Sequence, residues 1–399
     1  MRGILHRSLA SALLAGLVLL GTVYTSAGVH RLVADVPGSY PVDLRLRWWE
    51  ERLFASGLNP QRQGHDDPML SGVHESMRHI GGSYPPWSYT IGLLLVPPFE
   101  WTATRWYFAT LSLLSMGLSA FCAHRWCRAS GRMPSAIAAA TVFAVFPSAI
   151  CISYGQYAVP ILGLQVLAIV ALDSNRPLIA GVLLGLALVK PQLTMLCVLA
   201  LAAGGSPAAG ITAGLVAAIG TLVMSLVVGE APWAVLVQSL TEAVHNAHNS
   251  QNPLPAWLAM LTGSAVSTVV VTLCGVVAAI VAARLLRGER SRLPLAAAAA
   301  ILAMFWSSRK HMDVPIMTLP LVLVGLDLAR TRRLREATLF ALLGLTLWAP
   351  LRDDQWALPV VVVADTLIWL AAGWYILLGR AAQRWTGEPT PVTGRASPR

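Results

Sequence analysis

The run PAAGITAGLVAAIGTLVMSLVV, Pro207 to Val228, decides the fold class, because it holds no charged side chain from end to end. A helix needs about 20 mostly apolar residues to cross the hydrocarbon of a bilayer. No water is available there to satisfy backbone N–H and C=O groups, so such a run crosses as a helix. Comparable runs recur at 8–27, 105–123, 134–153, 157–172, 178–189, 193–204, 260–283, 293–306, 314–329, 337–350 and 357–378. The sequence therefore predicts an all-α polytopic membrane protein, a bundle of about 12 spans. Several runs are short for a full crossing, so tilted, paired or re-entrant segments are expected among them. Composition agrees: of 399 residues 56% are hydrophobic and 12% charged, about half the charged share of a soluble domain.

The net charge of +10 is not a nucleic-acid signature, because the basic residues are scattered between apolar runs rather than gathered in a patch. All but Lys190 and Lys310 are arginines. The five cysteines (Cys122, Cys127, Cys151, Cys197, Cys274) fall inside or beside apolar runs. None has zinc-type spacing, so neither a disulfide framework nor a metal site is expected. No internal repeat is visible.

Arginines set the orientation. Arg125/Arg128/Arg132, Arg176, Arg284/Arg287/Arg290/Arg292 and Arg330/Arg332/Arg333/Arg335 fall in alternate short loops. The positive-inside rule puts all of them in the cytoplasm, with both termini. The segment 9–23 after Arg2, His6 and Arg7 reads as an uncleaved first helix rather than a signal peptide, lacking a small-residue cleavage site. Residues 1–380 read as one membrane domain and 381–399 as a disordered cytoplasmic tail. The plasma membrane is the expected location.

The outer side then carries the polar chemistry. Its main feature is the loop 28–85, containing Ser39-Tyr40-Pro41-Val42-Asp43-Leu44-Arg45-Leu46-Arg47-Trp48-Trp49-Glu50-Glu51. Val42, Leu46, Trp49 and Leu53 form one apolar helical stripe. This predicts an amphipathic helix on the membrane surface, with Trp48 and Trp49 at headgroup level and Glu50 and Glu51 as surface charges. Ser39 and Pro41 suit a helix start, which places Asp43 in the first turn, where the helix dipole keeps a carboxylate ionised. Such a carboxylate suits a general base, and equally a surface ion pair with Arg47. Asp66-Asp67 and His65, His74 and His79 lie in a turn-rich stretch without metal-site spacing.

Four further outer features stand out. Tyr84-Pro85-Pro86-Trp87 leads an apolar run too short to span, expected to be interfacial or re-entrant. Gly155-Gln156 and Lys190-Pro191-Gln192 each tip a helical hairpin. Arg309, Lys310 and His311 form a cationic cluster suited to phosphate, with Asp313 a candidate partner within it. Asp365 lies mid-span, where a carboxylate is functional or paired.

In this order, a first-loop Asp-Leu with aromatics, Gly57-Leu58-Asn59-Pro60, Tyr84-Pro85-Pro86, Gly155-Gln156, Lys190-Pro191 and a late Trp306 followed by His311 resemble glycosyltransferase family 87. These are polyprenyl-phosphate-sugar-dependent enzymes of the GT-C fold, among them actinobacterial mannosyltransferases. The resemblance runs over about residues 8 to 380. It departs at Trp48-Trp49, where the family has a tyrosine nearer the aspartate, at Tyr157-Ala158-Val159 after Gly-Gln, and at Ser307-Ser308-Arg309 in the late loop.

The resemblance implies inverting transfer of a sugar, mannose first, from a polyprenyl-phosphate donor to a glycolipid or glycan acceptor on the outer face. Asp43 would be the catalytic base. Lys190, Arg309, Lys310 and His311 would take the donor phosphate. Arg47, Tyr84, Gln156 and Gln192 would line the substrate pocket. Membrane lipids are the surroundings, and no metal or cofactor is called for. A transporter or flippase of lipid-linked precursors and a non-catalytic scaffold are the rival readings, the first supported by Asp365 and the number of spans.

Overall fold

A computed structural model of the chain describes residues 2–34, 42–62, 84–247, 264–289, 291–306, 311–348 and 359–385. Among the described residues the fold is all-helical. In chain order the helices are α1 (Arg2–Val33), α2 (Val42–Ala55), α3 (Pro86–Leu95), α4 (Trp101–Cys127), α5 (Arg132–Phe143), α6 (Phe146–Tyr154), α7 (Ala158–Asp173) and α8 (Pro177–Ala187). They continue as α9 (Pro191–Ala203), α10 (Pro207–Val228), α11 (Pro232–Ala247), α12 (Ser264–Leu285), α13 (Leu293–Trp306), α14 (Thr318–Thr331), α15 (Leu334–Trp348) and α16 (Pro359–Trp385). A 3-10 segment, His311–Met317, leads into α14.

Proline punctuates the bundle. Pro86, Pro177, Pro191 and Pro207 each open a helix, where the missing N–H costs nothing and the fixed φ is already helical. Five segments are long and apolar enough to cross a membrane: Ser8–Val33, Trp101–Ser130, Arg132–Tyr154, Pro207–Val228 and Asp313–Thr331. Ala158–Asp173, Pro177–Ala187, Pro191–Ala203, Leu273–Leu285 and Leu293–Phe305 are apolar but shorter. Helix α1 runs six residues past the end expected at residue 27, and α16 runs to Trp385, beyond the boundary drawn at 380.

Helix α7 is buried on nearly every side, packed between α4 and α8 and under the 3-10 segment. Its one side-chain amide is bonded at the nitrogen, Gln165 Nε2 donating to Leu193 O at 3.1 Å and to Thr194 Oγ1 at 3.3 Å, while Oε1 has no hydrogen-bond partner among the described residues. A 16-residue helix is about 24 Å long, so its two ends define two faces of the molecule. At one end Asp173 takes hydrogen bonds from Arg292 N (2.8 Å) and Ser291 Oγ (2.9 Å), and Arg292 donates to Gly204 O at 2.8 Å. Arg380 bonds Asp327 with both distances 2.9 Å and reaches Glu289 at 3.5 Å. Connections assigned to the same side by arginine counting thus meet at one end of the bundle. Gln156, Lys190 and Asp313 meet at the other.

Candidate active site

Helix α2 is not the surface helix its apolar stripe predicts. Asp43, Leu44, Leu46, Arg47, Trp48, Trp49, Glu50, Glu51 and Phe54 are all buried, because α3, α4, α6 and α10 close around it. Trp48 and Trp49 therefore belong to the core rather than to a headgroup layer. Trp48 Nε1 donates to Phe99 O at 2.8 Å, and the Arg45 guanidinium stands over both Trp48 (4.9 Å) and Trp101 (4.7 Å).

Glu50 and Glu51 are likewise interior rather than surface charges, 0% and 2% exposed. A buried carboxylate needs a counter-charge or a proton. Arg47, one turn before, ion-pairs with Glu50. Glu51 has its carboxyl pressed against α3, filling the space a Cβ on Gly92 would occupy. Burial, then the charge of Glu50, hold it well above the ordinary carboxylate range, against the pull of Arg47. Glu51 is thus a group that favours its neutral form.

Two glycine-bearing turns bring α2 to the site. After α6, Gly155 sits at φ +73, the left-handed region open to glycine. A Cβ there would stand 2.2 Å from Leu44 Cβ. The side chain next to Asp43 thus rests directly on the Gly155-Gln156 turn. Farther along, Gly57-Leu58-Asn59-Pro60 ends α2, with Gly57 at φ +80. Asn59 is buried and donates to Glu230 Oε1 at 3.0 Å, ahead of α11.

The floor of the site is a three-element tie. Lys190 Nζ donates to Gln156 Oε1 at 3.0 Å and ion-pairs with Asp313 of the 3-10 segment. Lys190 and Asp313 are 3% and 1% exposed. Short hydrogen bonds from α3 hold the backbone before Lys190: Trp87 Nε1 to Leu188 O at 2.8 Å and Ser88 Oγ to Val189 O at 2.7 Å. The Tyr84-Pro85-Pro86-Trp87 segment is therefore the bracket of the Lys190 hairpin.

Tyr84 joins this floor to α2. The Arg47 guanidinium lies 4.2 Å over its ring, and Tyr157 meets it edge-on at 6.1 Å. Burial raises the Tyr84 phenol above its ordinary value, while Lys190 and then Arg47 pull the other way. Asp43 and Tyr84 both lie within electrostatic reach of Lys190. Asp43 is 9% exposed, and its Oδ2 is buried without a hydrogen-bond partner among the described residues.

Asp43, Arg47, Tyr84, Gln156 and Lys190, far apart in sequence, thus converge. Gln192 stands at the start of α9, partly exposed, with no side-chain hydrogen bond among the described residues. Arg309 and Lys310 lie outside the described residues, and His311 opens the 3-10 segment. Asp313, set by sequence within the cationic cluster, takes Lys190 as its partner. Glu50 and Glu51, expected as surface charges, Asp313, expected to pair within the cationic cluster, and Tyr157, noted only as a departure after Gly-Gln, also join the site. The i, i+3 spacing of Arg47 and Glu50 was the one available signal, since the burial of α2 shows in no local pattern.

Of these residues, Tyr84, Gln156 and Lys190 fall within a stretch, 83–308, that matches the family model described as glycosyltransferase family 87. That stretch is more than half of the chain. The protein belongs to glycosyltransferase family 87. Family 87 membership makes it a glycosyltransferase, with a sugar donor and an acceptor as its substrates. Asp43, Arg47, Glu50 and Glu51 precede the matched stretch and Asp313 follows it, so these five side chains of the site lie beyond what the family 87 match covers. No curated protein and no solved structure matches the chain.

Proposed function

We propose that this family 87 enzyme transfers a sugar, mannose in the first instance, from a polyprenyl-phosphate donor to a glycolipid or glycan acceptor at the outer face of the plasma membrane. Asp43 is the general base. The observation that supports this most is the buried Asp43 Oδ2 left without a hydrogen-bond partner among the described residues. A buried acceptor in that condition costs roughly 1 to 3 kcal/mol, and an acceptor hydroxyl donating to it removes the cost.

In the reaction, Asp43 takes the hydroxyl proton as the acceptor oxygen forms its bond to the anomeric carbon. The bond from that carbon to the phosphate oxygen breaks, and the electron pair leaves with the polyprenyl phosphate, inverting the centre. Lys190, Arg309, Lys310 and His311 meet the leaving charge. Lys190 already shares its charge with Asp313, so the net positive charge comes from Arg309 and Lys310. Arg47, Tyr84, Gln156 and Gln192 line the pocket. Residues 1–380 act as a single membrane domain with both termini cytoplasmic, and the prenyl chain lies between helices.

The test is sugar transfer from a labelled polyprenyl-phosphate donor by Asp43→Asn in membranes, with folding checked by detergent-extracted thermal unfolding. Loss of a general base lowers the rate by about 10²- to 10⁴-fold. Turnover like that of the unaltered enzyme would overturn the assignment.

A further inference from the structure

At the arginine-rich end, away from the active site, α15 and α16 diverge and leave a groove of about 700 Å³. Pockets of a few hundred to a thousand Å³ suit small ligands. Its walls are apolar and open: Leu334, Thr338 and Leu342 follow one another a turn apart on α15, facing Trp374 and Leu378 of α16. Leu334 is 82% and Trp374 70% exposed. From Leu334 to Leu342 the groove runs roughly 12 Å along the helix.

One end of the groove is polar and fixed. Arg335 bonds Glu336 at 2.7 Å and lies 5.1 Å over the Tyr375 ring, and the Tyr375 hydroxyl reaches Asp327 at 3.2 Å. Within this network Arg335 and Arg380 are matched by Glu336, Asp327 and Glu289. Arg332 and Arg333, next to Leu334, are exposed and have no carboxylate partner among the described residues. Two arginines without a carboxylate partner among the described residues, directly before the groove-lining Leu334 in the chain, call for a ligand with an anionic head and a hydrocarbon tail.

We infer that this groove binds one anionic phospholipid, an acyl chain lying along Leu334, Thr338 and Leu342 against Trp374, and the phosphate at Arg332 and Arg333. Guanidinium is suited to phosphate because its planar fork donates two parallel hydrogen bonds. The amphipathic rim of Trp374 beside the arginines places the headgroup level at this end of the bundle.

The full-length protein, purified in detergent and stripped of lipid, is titrated with phosphatidylglycerol or phosphatidylcholine, and bound lipid is counted by native mass spectrometry. The protein is expected to retain one phosphatidylglycerol in clear preference to phosphatidylcholine. Each basic residue near an anionic headgroup is worth about fivefold in affinity, so Arg332→Gln with Arg333→Gln lowers phosphatidylglycerol binding by roughly 25-fold. Thr338→Trp, which fills the groove, abolishes retention of both lipids, and inorganic phosphate alone gives no thermal stabilisation. Equal retention of the two lipids, or a preference unchanged in the double arginine variant, would overturn the headgroup assignment. Retention surviving Thr338→Trp would overturn the location.

Discussion

At the scale of single residues, the site is governed by how each buried charge is answered. Lys190 is answered by Asp313 and Gln156. Removing one partner of a buried pair leaves a bare interior charge, costing about 3 to 5 kcal/mol, whereas replacing both with apolar groups is often neutral. Asp313→Asn is therefore expected to lower the melting temperature sharply, and Lys190→Met with Asp313→Leu to restore most of it without restoring transfer. Thermal unfolding of both variants, with sugar transfer assayed in the same preparations, checks this. Glu51 is answered differently, by a raised affinity for its proton. Because its folded value lies above its unfolded one, its contribution is complete below the ordinary carboxylate range and fades as pH rises through the raised value. Glu51→Gln, permanently neutral, is expected to melt at an increasingly higher temperature than the unaltered protein as pH climbs across that window. A constant difference across pH would contradict the neutral form. Sequence showed Glu50 and Glu51 as charges on a helix. It gave no sign that α3 leaves room at Gly92 for one of them, because that room belongs to another segment.

At the scale of elements, α2 is the part that sequence described best and placed worst. That it is a helix, and that Asp43 stands in its first turn, follow from local pattern; the start residues Ser39 and Pro41 lie outside the described residues. Its burial does not, since a stripe records one apolar face and the other faces were covered by α3, α4, α6 and α10. What docks it is the Gly155 turn. A side chain there incurs about 1 to 2 kcal/mol for the left-handed backbone, and must also push Leu44 away. Gly155→Ala is expected to lower transfer far more than stability, by moving Asp43 off the Gln156–Lys190 floor. Comparing turnover with melting temperature in the same preparation decides it, and parallel losses would point to simple unfolding. The far end of α2 is anchored by Asn59 on Glu230. Asn59→Ala is expected to cost about 1 to 3 kcal/mol, and to speed protease cleavage near residues 57–62.

At the scale of the whole molecule, the apolar runs and arginine loops told more than the span count did. Asp173 at the end of α7, Gly204 after α9, Glu289 and Arg292 between α12 and α13, Asp327 in the last turns of α14 and Arg380 near the end of α16 gather at one end through direct contacts. Crossing number was less legible, because a run of apolar residues reads alike whether it meets lipid or, as in α7, only protein. The sidedness is testable: in a Cys274→Ser background, whose remaining cysteines are buried, Arg62→Cys is expected to react with an impermeant maleimide on intact cells. Arg333→Cys is expected to react only after permeabilisation, and the reverse pattern would invert the molecule. The tie between Lys190 and Asp313 also has a history in time. The two residues are 123 apart, and at about 5 to 20 residues per second the ribosome makes that stretch in roughly 6 to 25 s. For that interval the newborn α8–α9 hairpin carries a lysine whose counter-ion has not been synthesised. Its location at the hairpin tip, rather than inside a helix, lets water hold the charge until the later helices arrive.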